Sequence, residues 1–255
     1  MSIEKVFAVA ENTARSIFRD RKFWFAIVLW LLYIFLIARP LRDISDLEMT
    51  RHILKSFISG FRFIAFLAAI FLGTVIVESE VQKRTIQVVL TKPIFKWEFL
   101  LGKFFCGGLI IILFYVIFVV TTEFLSFVYG IPFVLEPFWY LLTELLYLLN
   151  IFGWTLLLSQ IVSPFIAGSM VLIFHPNTFM FWIKGIEEGA GPFHWIIKKI
   201  GVFINYITPP YGGRLSFGCS LPFIDYWLTL YQVTYLVAAF LVVCYIFNRR
   251  EILKK

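Results

Sequence analysis

The stretch FFCGGLIIILFYVIFVVTTEFLSFVY, Phe104–Tyr129, decides the fold. Its 26 residues include a single charged side chain, Glu123. A bilayer's hydrocarbon core, about 30 Å thick, takes roughly 20 apolar residues as a helix. In lipid the backbone groups of a lone span can be satisfied only within the segment, so the stretch reads as a transmembrane helix.

Five more apolar stretches lie to either side: Phe23–Ala38, Phe61–Val77, Phe138–Val162, Phe165–Ile183 and Tyr226–Phe247. The first is short, and Arg21, Lys22 and Arg39 extend it by reaching to the headgroups with their charged tips. The composition agrees. Hydrophobic residues make up 60% of the 255-residue chain and charged residues 15%, where a soluble domain has about 45–50% and 25%. A single soluble domain, a disordered chain and a collagen-like chain are excluded. The expected fold is all-α and integral to the membrane, with six spans in one transmembrane domain covering residues 1–255.

The formal net charge of +7 would suggest nucleic acid in a soluble protein, but here the cations flank apolar runs. With the N-terminus inside, fourteen Lys and Arg fall on inner segments and nine on outer ones. The excess favours both termini in the cytoplasm and no nucleic-acid partner. The first apolar run begins too far into the chain, and lacks the small-residue cleavage site, to be a secretory signal.

Two segments outside the spans have helical periodicity. In residues 1–22, Ile3, Val6, Phe7, Ala10, Ala14, Ile17 and Phe18 recur on one face, with Glu4, Lys5, Glu11, Arg15 and Arg19 opposite. This is the pattern of a helix lying in the inner interface. In the outer loop, residues 184–224, Gly185, Gly189, Gly191 and Pro192 break the preceding helix. A stripe of Phe193, Ile196, Ile197, Ile200, Phe203, Ile204 and Ile207 follows, and reads as a re-entrant or interfacial helix.

Catalytic motifs are lacking. Gly102-Lys103 is followed by Phe104, so there is no phosphate-binding GxxxxGK[ST] loop, and neither HExxH nor GxSxG occurs. Cys106, Cys219 and Cys244 have no metal-ligand or disulfide spacing. No catalytic residue, metal or cofactor is expected on this chain.

The inner segment 78–103 carries the remaining signal. Glu80, Lys83, Arg84 and Gln87 recur at helical spacing directly after the second span, Val81, Thr85, Val88 and Val89 form an apolar face, and Pro93 stops the helix. A second amphipathic piece, Phe95–Lys103, leads into the third span. A bare connector needs only a few residues. The physics leaves two readings open: a rigid hairpin gripped by a partner protein, or a helix lying passively under the bilayer.

The run RTIQVVLTKPIFKWEFLLGKF at Arg84–Phe104 resembles the type-2 (ABC-2 type) permeases of ATP-binding-cassette transporters. Their pattern is roughly E-x-x-x-[RG]-T-[LI]-x-x-[LV]-L-S-x-P-[IV]-x-R-x-[EQ]-x-[LV]-L-G-K-[FY]. Glu80, Arg84, Thr85, Ile86, Leu90, Pro93, Ile94, Glu98, Leu101, Gly102, Lys103 and Phe104 fall on it, while Thr91 replaces Ser and Lys96 replaces Arg. LSQIVSPFIAGSM at Leu158–Met170 and FNRREI at Phe247–Ile252 are similar more loosely to the family's turn between spans four and five and to its closing basic motif.

The resemblance implies a transport subunit, not an enzyme. It would work as a homo- or heterodimer in the cell membrane, bound to two cytoplasmic ATPase subunits that hold ATP and magnesium. Export is the expected direction. The coupling contact would be made by Glu80, Lys83, Arg84, Thr85, Gln87, Pro93, Lys96 and Glu98. The rival readings are a polytopic membrane enzyme acting on lipid and a secondary transporter.

Carboxylates inside spans are expensive in lipid and are either paired or functional. Glu123 lies six residues from the outer end of the third span and Glu144 six residues into the fourth, hence at similar depth, within reach of Arg62. They read as a structural ion cluster with Arg62 or as part of a translocation path.

Overall fold

The computed structural model describes residues 3–19, 24, 27–28, 31–36, 47–82, 95–129, 138–173, 199 and 222–249. Among these the regular structure is entirely helical. Six helices of ten or more residues follow in order: α1 (Ile3–Arg19), α2 (Leu47–Gln82), α3 (Lys96–Val128), α4 (Phe138–Ile161), α5 (Pro164–Ile173) and α6 (Pro222–Arg249). The outer loop 184–224 and its expected helix lie almost wholly outside the described residues, as do seven of the sixteen residues of the first apolar stretch.

Three of the described helices are long and apolar enough to cross a membrane, over Lys96–Leu125, Leu141–Ile161 and Thr229–Phe247. Gly60–Ile76 and Pro164–Ile173 are shorter apolar helical stretches. The helices exceed the apolar stretches that mark them. α2 is 36 residues long, about 54 Å at 1.5 Å per residue, against the roughly 30 Å of a bilayer core. Arg51, His52 and Lys55 lower the hydropathy of its first turns without disturbing the helix, so hydropathy alone sees only its middle. The amphipathic piece Phe95–Lys103 is likewise no separate helix. From Lys96 it is the first part of α3, because Pro93 is the last helix-breaking residue before it.

The chain forms two compact units. The first contains α1, α2 as far as Ala68, and α3 from Glu98. Here α1 buries Val6, Val9, Ala10 and Thr13. Phe7 and Phe18 of its apolar stripe remain exposed, beside the face that packs on the chain. Glu4 in the first turn and Arg19 in the last suit the helix dipole, and Glu11 and Arg15 pair across one turn at 2.5 Å. Phe61 of α2 stacks face to face on Phe118 of α3, with ring centroids 3.7 Å apart and planes 3° from parallel.

The second unit contains α2 from Ala69, the first two residues of α3, and α4, α5 and α6. α4 packs against both α5 and α6. Val162 and Ser163 make the turn between α4 and α5. Pro164 takes the first helical position, where its missing N–H costs nothing, and the Ala167 N–H donates to the Ser163 carbonyl at 2.9 Å. α6 has two faces. Gln232, Ala239, Val243 and Phe247 are buried, and Leu230, Val233, Val237, Leu241 and Tyr245 are exposed at one-turn spacing, the side suited to lipid.

Candidate functional site

The C-terminal end of α2 and the N-terminal end of α3 frame the segment that the sequence singles out. α2 continues unbroken past Val77 through Glu80 to Gln82. Lys83, Arg84, Thr85, Gln87 and Pro93 lie outside the described residues. The described chain resumes at Phe95, and α3 begins at Lys96. Phe95 and Trp97 are exposed and Lys96 is half-buried. Exposed aromatic rings with a cation between them suit the level of the lipid headgroups.

One turn further in, the environment changes. Glu98 is only 1% exposed and Lys103 2%, among the buried Phe99 and Leu100. The Lys103 ammonium lies 5.5 Å from the centroid of the Phe99 ring, one turn back on α3, where the ring face attracts it. Glu98 was expected to face a partner protein. Its burial places it within the packing of this chain, and Lys96 is the residue of the pair with surface to offer.

Gly102 shows what the glycine of the LLGKF run does. A Cβ there would sit 2.8 Å from the Val6 carbonyl oxygen and 2.8 Å from Val9 Cβ. No side chain fits, so α1 rests backbone-close on the first turns of α3. Phe7 reinforces the joint, edge-on to Phe105 with centroids 5.9 Å apart. The sequence marked Gly102 as part of a motif but gave no sign that Val6 and Val9 were its neighbours, since a glycine advertises a close approach without naming the partner.

Of the acidic residues within spans, Glu123 is half-buried on α3 and Glu144 half-buried on α4. Arg62, half-buried on α2, shares the first unit with Glu123, whereas Glu144 belongs to the second. The Phe61–Phe118 stack fixes the local register of α2 on α3 beside Arg62 and Thr122.

Sequence reasoning missed a polar seam in the second unit. Asn150 and Gln232 are both 0% exposed, and the Asn150 Nδ2 donates to the Gln232 backbone carbonyl at 3.1 Å. Further along α4, Thr155, Ser159 and Gln160 are buried, with Thr155 and Ser159 close to Gly73 of α2. The available signal was the run of polar residues at 150, 155, 159 and 160 within an otherwise apolar span.

The family model for ABC-2 family transporter proteins matches residues 7–252, nearly the whole chain. The chain belongs to the ABC-2 transporter family. It is thus a multi-pass membrane protein and the membrane permease component of an ABC transporter, as the motif around Gly102 implied. No curated protein matches it. Within this ABC-2 permease, Gly102 lets α1 close on the first turns of α3, while Glu80 lies in the last turn of α2.

Proposed function

We propose that the chain is the membrane-spanning subunit of an ABC exporter, with six spans and both termini on the cytoplasmic side of the cell membrane. It forms the translocation path as a dimer. Two separate ATPase subunits hold ATP with magnesium and drive it. Residues 78–103 are the coupling segment, in which Glu80, Lys83, Arg84, Thr85, Gln87, Pro93 and Lys96 supply the contact. Glu98 supports the segment from inside.

The observation that carries this reading is the continuity of α2. One helix runs from Leu47 through the apolar stretch to Gln82 and delivers Glu80 at its end. A rigid rod ending in a charged segment can pass a push from a docked protein into the membrane, and the family match supplies the class of protein that pushes.

The test is co-purification from membranes with identification of partner chains. Lys83→Glu combined with Arg84→Glu should remove the ATPase or its hydrolysis at normal permease yield, since like charges set against an acidic groove cost several kcal/mol. The same reversal at Arg249 and Arg250 should do less. A hairpin variant that kept its ATPase, beside a tail variant that lost it, would move the contact to the C-terminus.

A further inference from the structure

Gly73 sits nine residues before the end of α2, roughly 14 Å along the rod from Gln82. A Cβ built on Gly73 would lie 2.8 Å from the Phe152 backbone carbonyl and would run into Thr155 Oγ1. A backbone carbonyl cannot swing aside as the end of a flexible side chain can. The hydroxyls at this joint are also satisfied at home. Thr155 Oγ1 is 2.9 Å from the carbonyls of both Ile151 and Phe152, and Ser159 Oγ is 2.8 Å from the Leu156 carbonyl. Ser159 Oγ also stands 3.4 Å from the Gly73 carbonyl across the joint. Polar groups that already bond within α4 let α2 approach closely without burying an unsatisfied donor.

The same two turns of α2 are held from a second side. A Cβ on Gly168 of α5 would lie 3.3 Å from Ile70 Cγ2 and 3.6 Å from Thr74 Cγ2. Ile70, Thr74, Ala167 and Val171 are buried around it. α4 and α5, joined by a two-residue turn, thus grip α2 at consecutive turns.

We infer that Gly73 with Thr155 and Ser159, and Gly168 with Ile70 and Thr74, key the coupling end of α2 to the α4–α5 hairpin, so that α2 from Ala69 onward moves with α4 and α5 as one rigid body during the ATP cycle. The inference rests on the coupling role proposed for residues 78–103. It adds a destination. Displacement arriving at Gln82 is delivered to α4 and α5 and is not lost as rotation of α2 about its own axis. Packed interfaces of this kind are shifted as blocks and are not deformed continuously.

The experiment is a covalent lock across a contact that should not move. Thr74→Cys with Gly168→Cys is made in a chain with Cys106, Cys219 and Cys244 replaced by Ser. The complex with its co-purified ATPase is reconstituted in phosphatidylethanolamine–phosphatidylglycerol vesicles. Vanadate-sensitive ATP hydrolysis is read oxidised and reduced. Oxidation should close the disulfide, and hydrolysis should stay within about twofold of the reduced sample, less than the roughly 5–150-fold typical of a broken coupling. Spin labels at positions 82 and 163 should keep one distance distribution between nucleotide-free and vanadate-trapped states. A fall of about tenfold or more on oxidation, reversed by reductant, would show that α2 moves over α5 and would overturn the inference. So would failure of the disulfide to form, or a shifted label distance. The underlying coupling role has a separate indicator. If Lys83→Glu with Arg84→Glu leaves hydrolysis intact in the same vesicles, that role fails, whatever the lock does.

Discussion

Asn150 of α4 donates from Nδ2 to the backbone carbonyl of Gln232 in α6 at 3.1 Å, with both side chains wholly buried. The bond ties α4 to α6 at one register. Apolar helices offer each other many nearly equivalent packings in lipid, and a single polar contact selects among them. Asn150→Ala should lower stability by about 1 kcal/mol, the usual worth of an interhelical hydrogen bond in a membrane. Thermal unfolding in detergent reads the effect. Asn150→Asp should cost several times more, because it buries a charge.

Two glycines with close neighbours should respond differently to the same substitution. At Gly102 the obstacles to a Cβ are the Val6 backbone carbonyl and Val9 Cβ, both at 2.8 Å. At Gly60 the obstacle is the Tyr33 hydroxyl, the far end of a side chain that can swing away. Gly102→Ala should cost about 1–3 kcal/mol, the range for overpacking, and should loosen α1. Faster proteolysis within residues 3–19 would report that loosening. Gly60→Ala should fall within about 0.5 kcal/mol of the parent, as replacing a helix-interior glycine regains part of any strain.

The all-helical membrane fold was legible because lipid removes every alternative to the helix, so an apolar run such as Phe104–Tyr129 has one interpretation. The ends of the helices were not. α2 begins at Leu47, fourteen residues before the apolar stretch, because Arg51, His52 and Lys55 alter hydropathy without altering helical propensity. The motif at Arg84–Phe104 disclosed the family, yet the place of its members did not follow from it. Glu98 reads as a surface charge on a short amphipathic piece, and its burial depends on how α3 packs, which local sequence does not encode. The face by which α1 packs on the chain has the same origin. Phe7 and Phe18 are more hydrophobic than Val9 and Thr13, but small side chains are what let α1 close on Gly102.

Glu98 and Lys96 separate a structural role from a contact role within one turn. Glu98 is buried and engaged within the chain. Removing it leaves buried neighbours unsatisfied, which costs about 1–3 kcal/mol. Glu98→Ala should therefore cut membrane yield and melting temperature. Lys96→Ala should leave both near the parent values and weaken only the retention of the ATPase. A Glu98→Ala permease of normal stability that failed to hold the ATPase would restore Glu98 to the contact.

Arg62, Glu123 and Glu144 can be sorted by energetic coupling, since their two candidate roles differ in that quantity. Arg62 and Glu123 belong to the same unit, on helices whose register the Phe61–Phe118 stack fixes. If the pair is structural, Arg62→Gln and Glu123→Gln should each destabilise, and the double variant should be less destabilised than the sum. The interaction energy in that cycle should exceed about 1 kcal/mol, beyond the 0.3–0.5 kcal/mol scatter of independent sites. Glu144→Gln provides the comparison from the other unit. A carboxylate that lines a water-filled path is solvated from the path, so neutralising it should leave melting unchanged while altering hydrolysis by the reconstituted complex. Additive effects for Arg62 and Glu123 would end the structural reading of that pair. Unchanged melting and hydrolysis in Glu144→Gln would remove Glu144 from the translocation path.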